Sequence, residues 1–396
     1  MSKKRVLIRA PLLTMSGYGV HARQIFEWAI ERPDFEVFVQ PLPWGLTPWI
    51  LGDNEKSGLA GEIVRRNVDV SSLKQRFDIT IQVQLPNEWD ASLGNFNIGI
   101  TAAVETDTCS KDWIYACNKM SAVIVPSKHT KSVLTNSGVN LAVPIFVVPE
   151  SYHSSIDSDD LPSVDLDLKT DFNFLVFGQI TGNNPENDRK NLFYTIKWIC
   201  EEFRNDENVG LIIKTNAGRS SKIDRVMTEK ILKKLLAQVR GDNPSPRTYL
   251  LHGNLSEEEV ASVYRDKKVK ALVSLTRGEG FGLPLLEAAA SGLPVIATGW
   301  SGHTDFLSHG KYISLEPHLK PIHKTRIDNK IFIEGAKWAE VDEKEVKQKL
   351  RKFYERPINP KQWATELSET IKNKYCIKNI KLLYDEAFAK LGVTNG

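Results

Sequence analysis

Residues 269–306, VKALVSLTRGEGFGLPLLEAAASGLPVIATGWSGHTDF, join a strand, a glycine-rich loop, a helix and a second strand around two glutamates. Val269–Leu275 is a short apolar, β-branched run bounded by polar residues, the pattern of a strand buried on both faces of a parallel sheet. The chain then turns through Gly278, Gly280 and Gly282, and Pro284 stands at a helix start, where its missing N–H has no partner to lose. A helix over Leu285–Ser291 follows, Gly292 caps it, and Pro294 leads into a strand at Val295–Thr298. One β-loop-α-β unit results. In such units, ligands bind in the crevice above the carboxyl ends of the strands.

Glu279 lies in the loop and Glu287 eight positions on, in the first turns of the helix, so both are placed to face that crevice. The backbone N–H groups of Gly280, Phe281 and Gly282, with Leu283 opening the helix, offer donors, and the carboxylates offer acceptors. That combination suits hydroxyl-rich ligands such as sugars and riboses, and phosphate alone would not need two carboxylates. Two glutamates at this spacing carry little by themselves in a chain with 49 acidic residues; the context carries more. The run GEGFGLPLLEAAASGLPVIA, residues 278–297, resembles the E-x7-E donor-site signature of retaining GT-B glycosyltransferases of family four, the glycosyl transferases group 1. The resemblance implies an α/β chain of two Rossmann-like, doubly wound domains facing across a cleft. A UDP-sugar or GDP-sugar would be bound mainly by the second domain, with no metal and no other cofactor. It further implies that Glu279 touches the hydroxyls of the transferred sugar with the backbone of Gly280–Gly282, and that Glu287 holds the ribose.

Composition is compatible with this. The chain has 396 residues, 41% hydrophobic and 26% charged, which suggests two ordinary globular domains. Its net charge of +3 is too small to imply a nucleic-acid or membrane partner without a local patch. Cys109, Cys117, Cys200 and Cys376 show no CxxC spacing, which points to reduced thiols in a cytoplasmic protein. MSKKRVLIRAPLL enters a strand and does not read as a signal peptide, and no run of eighteen apolar residues exists.

In chain order, Arg5–Ala10 reads as a first strand and Ser16-Gly17-Tyr18-Gly19 as the start of a helix over Val20–Glu31. A helix start favours an anion, so Gly17 and Gly19 are donor-diphosphate candidates, with a plain glycine turn as the alternative. Family members place a glycine-containing loop here. Trp44 and Trp49, in a proline-rich loop, either stack a sugar ring or cover the sheet edge. A strand over Asn97–Ala103 opens into Glu105 and Asp107, acceptor-side candidates that alternatively serve helix capping. Many family members carry a histidine near Glu105, so a catalytic role for it is not carried over directly. Ser127 reads as a helix cap.

Ser154–Asp171 is polar, acidic and aperiodic and reads as a linker, so the domains are set at 1–168 and 169–376, with a helix over 377–393 returning to the first. Asp157-Ser158-Asp159 has the spacing of a metal-binding D-x-D, but a solvated acidic linker is the commoner meaning. The second domain opens with a strand at Phe174–Gly178 and a loop from Gln179 to Lys190. Arg189 and Lys190 stand at the entrance of the next helix, where a guanidinium fork and a lysine point charge suit a diphosphate. The family pattern often has an arginine where this chain has Gln179, which shifts that role onto Arg189 and Lys190. Asn254 falls in a loop that, by resemblance, lies beside the nucleobase. Asp305 stands where the family commonly has glutamate. Trp338–Tyr354 and Pro360–Tyr375 read as helices.

The expected function is retaining transfer of a hexose from a nucleotide diphosphate sugar to a glycan, a lipid-linked glycan or a small polyol. Glu279, Arg189, Lys190 and Glu105 are the candidate catalytic groups. Base-modified DNA is the alternative acceptor and a non-catalytic sugar-nucleotide-binding protein the alternative class. Residues 1–150 hold 15 Lys and Arg against 15 Asp and Glu, without the basic excess that gripping duplex DNA requires. No obligate nucleic-acid partner is expected, and peripheral membrane contact is left open.

Overall fold

The structure is a computed structural model that describes residues 3–50, 58–72, 75–179, 184–215 and 220–393. The part of the Gln179–Lys190 loop at 180–183 lies outside the described residues. Two compact units divide the chain: Met1–Ser151, Asn329–Ile331 and Ile377–Gly396 form the first, and Tyr152–Asp328 with Phe332–Cys376 the second.

In the first unit, strands β1 (Lys4–Ala10), β2 (Phe35–Pro41), β3 (Phe77–Val83), β4 (Gly94–Ile100), β5 (Ala122–Val125) and β6 (Ile145–Val147) form one sheet in the order β2-β1-β3-β4-β5-β6. All neighbours run parallel, with Ile8 of β1 opposite Val39 of β2 and Ile81 of β3. Helices α1 (Gly17–Glu31), α2 (Gly58–Arg65), α3 (Lys111–Cys117) and α4 (Lys128–Thr135) provide the connections. Ser16 caps α1, Ser110 caps α3 and Ser127 caps α4, each hydroxyl accepting a backbone N–H of the first turn.

The C-terminal helix, Ile377–Lys390, closes this unit's core against α1. Trp28 meets the ring of Phe388 at 4.6 Å and of Tyr384 at 5.3 Å, and its indole N–H donates to Asp385 at 2.9 Å. Phe388 has no exposed surface. Phe388→Ala should therefore destabilise the chain by about 3–5 kcal/mol, measured as a shift of the denaturant midpoint.

The second unit holds β7 (Phe172–Phe177), α5 (Leu192–Glu202), β8 (Val209–Thr215), α6 (Lys222–Arg240), β9 (Arg247–His252), α7 (Glu257–Arg265) and β10 (Val269–Ser274). It continues with α8 (Leu283–Ala290), β11 (Val295–Thr298), α9 (Thr304–Leu307), β12 (Ile313–Leu315), the hairpin β13 (His318–Pro321) and β14 (Lys337–Glu340), α10 (Glu343–Glu355) and α11 (Ile358–Tyr375). The parallel sheet has the order β12-β11-β10-β7-β8-β9. Alternate residues of a strand enter opposite cores: Leu175, Ile212 and Leu272 join one cluster, while Phe174, Leu211 and Ala271 join the other. Both faces are thus covered, which is why β7, β8 and β10 read as apolar runs.

Strand order reverses between β7 and β10, so the connections leaving their carboxyl ends diverge to opposite sides of the sheet and leave a crevice there.

Two parts of the fold differ from the sequence reading. The segment 152–168 belongs to the second unit and is not a solvated linker, because Tyr152, Ile156 and Leu168 are buried in its core. There Asp157 accepts a hydrogen bond from Tyr152 at 2.8 Å and pairs with Lys372 at 3.0 Å, so its carboxylate is committed to folding contacts. Trp338 begins no helix: it lies in β14, paired with Lys320 of β13, and the helix starts only after Asp342 caps it. Among the described residues, no group of three or more His, Cys, Asp or Glu is placed to hold a metal ion. Nor, among the described residues, is any helix long and apolar enough to cross a membrane.

Candidate active site

The crevice between β7 and β10 gathers the charged residues of two loops. From β10 the chain runs through Thr276 and Arg277 into Gly278–Gly282, and the segment that follows β7 brings in Asp188, Arg189 and Lys190. Glu279 is 7% exposed. Its carboxylate takes the Lys190 ammonium at 2.6 Å, the Thr276 hydroxyl at 2.9 Å and the Arg189 guanidinium at 3.4 Å. Arg189 also donates to the Gly278 carbonyl at 2.7 Å. Burial pushes the Glu279 carboxyl up, but the Lys190 and Arg189 charges outweigh it and hold it down at about 2. The carboxylate is therefore ionised throughout the physiological range, flanked by two half-buried cations.

Backbone packing fixes this loop from behind. Glu279 N–H donates to the Ser301 hydroxyl at 2.9 Å, and the Glu279 carbonyl accepts from Gly302 N–H at 2.9 Å. A Cβ on Gly302 would stand 2.2 Å from the Gly280 carbonyl oxygen, so no other residue lets the two loops approach. Gly282 ends the loop at φ +104°, as the residue just before α8, and a Cβ there would press on His303. His303 is fully buried, its Nε2 at 2.7 Å from the Thr298 carbonyl, so that nitrogen carries the proton. Phe281 offers the crevice only its backbone, since its ring packs on Phe306 at 5.3 Å. Leu283 opens α8.

Glu287 is half-buried on α8, where it accepts from the Tyr264 hydroxyl at 3.2 Å. Burial pushes its carboxyl up to about 7; the Tyr264 hydrogen bond pulls it down and the Glu257 charge adds to the rise. Because the folded value exceeds the ordinary 4.5, ionisation of Glu287 costs stability as pH climbs from about 4.5 through 7. Ribose hydroxyls donating to this group would favour its ionised form, so binding would release a proton. Nucleoside diphosphate affinity should accordingly rise between pH 6 and pH 8, and Glu287→Gln should flatten the profile; calorimetry in buffers of different ionisation heat measures both.

Arg277 has no sequence signature, yet it ties the loop after β10 to the segment that carries Arg189 and Lys190. It is fully buried. Its guanidinium pairs with Glu340 of β14 at 2.6 Å and donates to the carbonyls of Pro185 at 2.7 Å and Asp188 at 2.8 Å, while lying 5.2 Å from the Trp338 ring. Its backbone N–H bonds the Arg189 carbonyl at 2.8 Å and its carbonyl takes Ala339 N–H at 2.9 Å. The segment carrying Arg189 and Lys190 is thus clamped at three carbonyls by one arginine held in the hairpin. Asp188 completes the mounting by accepting Lys190 N–H at 3.0 Å and Leu192 N–H at 2.6 Å, which caps α5.

Asn254 follows β9, two strands from β7 at the sheet edge, next to Gly253 whose carbonyl accepts from the Lys214 ammonium at 2.6 Å. Burial pushes Lys214 down to about 8. Ser301 and His303 fall in 299–306, which the sequence reads as a loop closing the donor pocket, whereas no motif marks Lys214 or Tyr264. Only its position at the end of β8 could have marked Lys214.

Gly17, Gly19 and Glu105 belong to the first unit. The Gly19 N–H is taken up by the Ser16 hydroxyl at 3.0 Å, and a Cβ on Gly19 would lie 2.2 Å from the Thr14 carbonyl, so this glycine is required by packing at the helix start. Gly17 opens the helix with nothing within 4 Å of its Cβ position. Between them Tyr18 is anchored to Thr101 and to Ala102 N–H, each at 3.0 Å, and Trp44 stacks on it at 4.1 Å. Glu105 is half-buried after β4; burial, then the Glu105 charge, keep the Tyr18 phenol protonated.

Two parallel-sheet, Rossmann-like α/β units are the architecture of the GT-B fold. Residues 246–365, spanning β9 to α11 and including Asn254, Glu279 and Glu287, match the family model of glycosyl transferases group 1. That match spans under a third of the chain and falls, but for Asn329–Ile331, within the second unit. The chain is 26% identical over 180 residues to a sucrose synthase of Melioribacter roseus, a match covering 41% of this chain and 21% of that protein's length. Among solved structures, a glycosyltransferase of Rickettsia africae is similar at TM-score 0.67 and 14% identity, with both chains fully covered. The sucrose-phosphate synthase of Thermosynechococcus elongatus is similar at TM-score 0.65 and 13% identity over 99% of this chain and 100% of that one. HepE of Anabaena, in complex with UDP and glucose, is similar at 0.64 and 12%, covering 98% and 100%.

Proposed function

We propose that the chain is a retaining, metal-independent glycosyltransferase that moves a hexose from a nucleoside diphosphate sugar to a hydroxyl of a carbohydrate or small polyol. The observation that carries the reading is the buried Glu279 carboxylate held between Lys190 and Arg189 at the strand-order reversal. An ionised carboxylate accepts hydrogen bonds from sugar hydroxyls, and the two cations beside it match a diphosphate. Glu287, within the first turns of α8, is assigned to the ribose.

In the reaction the bond from the anomeric carbon to the diphosphate oxygen breaks, and its electron pair leaves with the diphosphate. The acceptor oxygen bonds to the same face of that carbon, and its proton passes to the departing phosphate oxygen. Lys190 and Arg189 stabilise the charge gained by the leaving group, which is the kind of preorganised field on which enzymes rely most. No side-chain nucleophile enters. UDP is the favoured nucleotide because HepE, of the same fold, is in complex with it. A sugar acceptor is supported by the neutral charge balance of residues 1–150.

The test is calorimetric titration of UDP into the chain and its Lys190→Ala and Arg189→Ala variants. Each variant should weaken binding by about 1.5–3 kcal/mol for the charged hydrogen bond lost. Unchanged affinity in both would remove the cations from the diphosphate site.

A further inference from the structure

We infer that the outer face of α6 docks the protein on an anionic lipid surface. This 19-residue helix buries Thr228, Leu232, Leu235 and Leu236 against its own unit. Its solvent side is unlike an ordinary solvated face. Ile223, Val226, Met227 and Ile231 are 76%, 50%, 53% and 44% exposed, the densest run of large exposed apolar side chains among the described residues. Ile223, Met227 and Ile231 recur every fourth residue and form one ridge. Lys222, Lys230, Lys233 and Lys234 are exposed beside it.

Carboxylates are withheld from this face. Asp224 folds back on the Ser221 N–H and hydroxyl at 2.9 and 2.8 Å, and Glu229 accepts from Arg225 at 3.1 Å; both are half-buried. An apolar ridge flanked by lysines, with its two acids engaged at Ser221 and Arg225, is the arrangement by which interfacial helices sit at a bilayer surface. The ridge enters the headgroup boundary, and the lysine stems reach back to the phosphates.

Charge and size decide between occupants. A second copy of the same face would oppose lysines to lysines. A standard protein interface needs roughly 20–30 residues a side, whereas α6 exposes 11 residues on a single convex helix. A lipid surface needs neither shape complementarity nor that area, because each lysine near an anionic leaflet strengthens binding roughly fivefold and the apolar side chains add to it. The inference does not depend on the catalytic reading.

Sedimentation of the full chain with vesicles tests it. Vesicles of phosphatidylcholine mixed with phosphatidylglycerol should retain the protein and pure phosphatidylcholine should not. The Lys230→Glu, Lys233→Glu double variant should lose retention roughly 25-fold or more. Ile223→Asp with Met227→Asp should also lose it, while the denaturant midpoint of both variants matches the parent and shows them folded. Absent retention on anionic vesicles, or equal retention of parent and variants, overturns the inference. So does a concentration-dependent dimer abolished by Ile223→Asp in place of vesicle binding.

Discussion

Replacing Glu279 by alanine should lower hexose transfer roughly 10²–10³-fold while leaving UDP affinity unchanged or slightly stronger. The direction follows from the geometry. Lys190 and Arg189 both rest on this carboxylate, so without it they are freed to meet the diphosphate, and UDP loses no partner of its own. What disappears is the acceptor for the sugar's hydroxyls and the counter-charge that orders the two cations. Glu279→Gln should fall between parent and alanine variant, since the amide keeps one acceptor oxygen but not the ion pairs. Glu287→Ala should behave oppositely, weakening UDP itself. Steady-state transfer and calorimetry on the same preparations check both; loss of UDP affinity with turnover retained in Glu279→Ala would contradict the assignment.

Arg277→Met should have the second large effect, on stability and on the donor at once. Removing the guanidinium leaves Glu340 without its partner and takes donors from the Pro185 and Asp188 carbonyls. Breaking a buried pair from one side costs about 3–5 kcal/mol. The same change unfastens the segment that positions Arg189 and Lys190, so UDP affinity should fall roughly tenfold to a hundredfold, as expected when binding groups shift by about 1 Å. Arg277→Lys keeps the charge but not the planar fork, and should recover part of the stability and little of the affinity. Denaturant unfolding and calorimetry below the unfolding midpoint separate the two effects. A variant that is destabilised yet binds UDP normally would show the clamp to be structural only.

The parts of this molecule that the sequence makes legible are those whose cause is local. The apolar runs of β7, β8 and β10 follow from burial on both faces. The helix cap at Ser127 and the turn before α8 are written in residues that touch their neighbours in sequence. The placement of Glu279 in a loop and of Glu287 on a helix is legible because glycines and a helix start bracket them.

What stayed hidden depends on distant partners. Arg277 reads as one more surface cation until Glu340 and Pro185, 63 and 92 residues away, are brought to it. The run from Ser154 to Asp171 looks like solvent-exposed chain because its buried apolar side chains, Ile156 and Leu168, follow no period, and only the core they enter explains them. At Trp338 a helical spacing continued by chance upstream of the true start. Asp342, which accepts Glu345 N–H at 2.9 Å, marks the real boundary. At Gly19 the close packing is equally hidden: its N–H goes to the Ser16 hydroxyl and its missing Cβ makes room for the Thr14 carbonyl.

The central claim is that this crevice transfers a hexose with retention and without a metal. It is tested most directly by following the anomeric carbon of UDP-[1-13C]glucose by NMR in the presence of chelator and a panel of sugar acceptors. The account predicts release of UDP together with a product that keeps the α configuration. A β-configured product would contradict retention, transfer restored only by added manganese would contradict metal independence, and UDP that binds but is never released from any hexose donor would contradict catalysis.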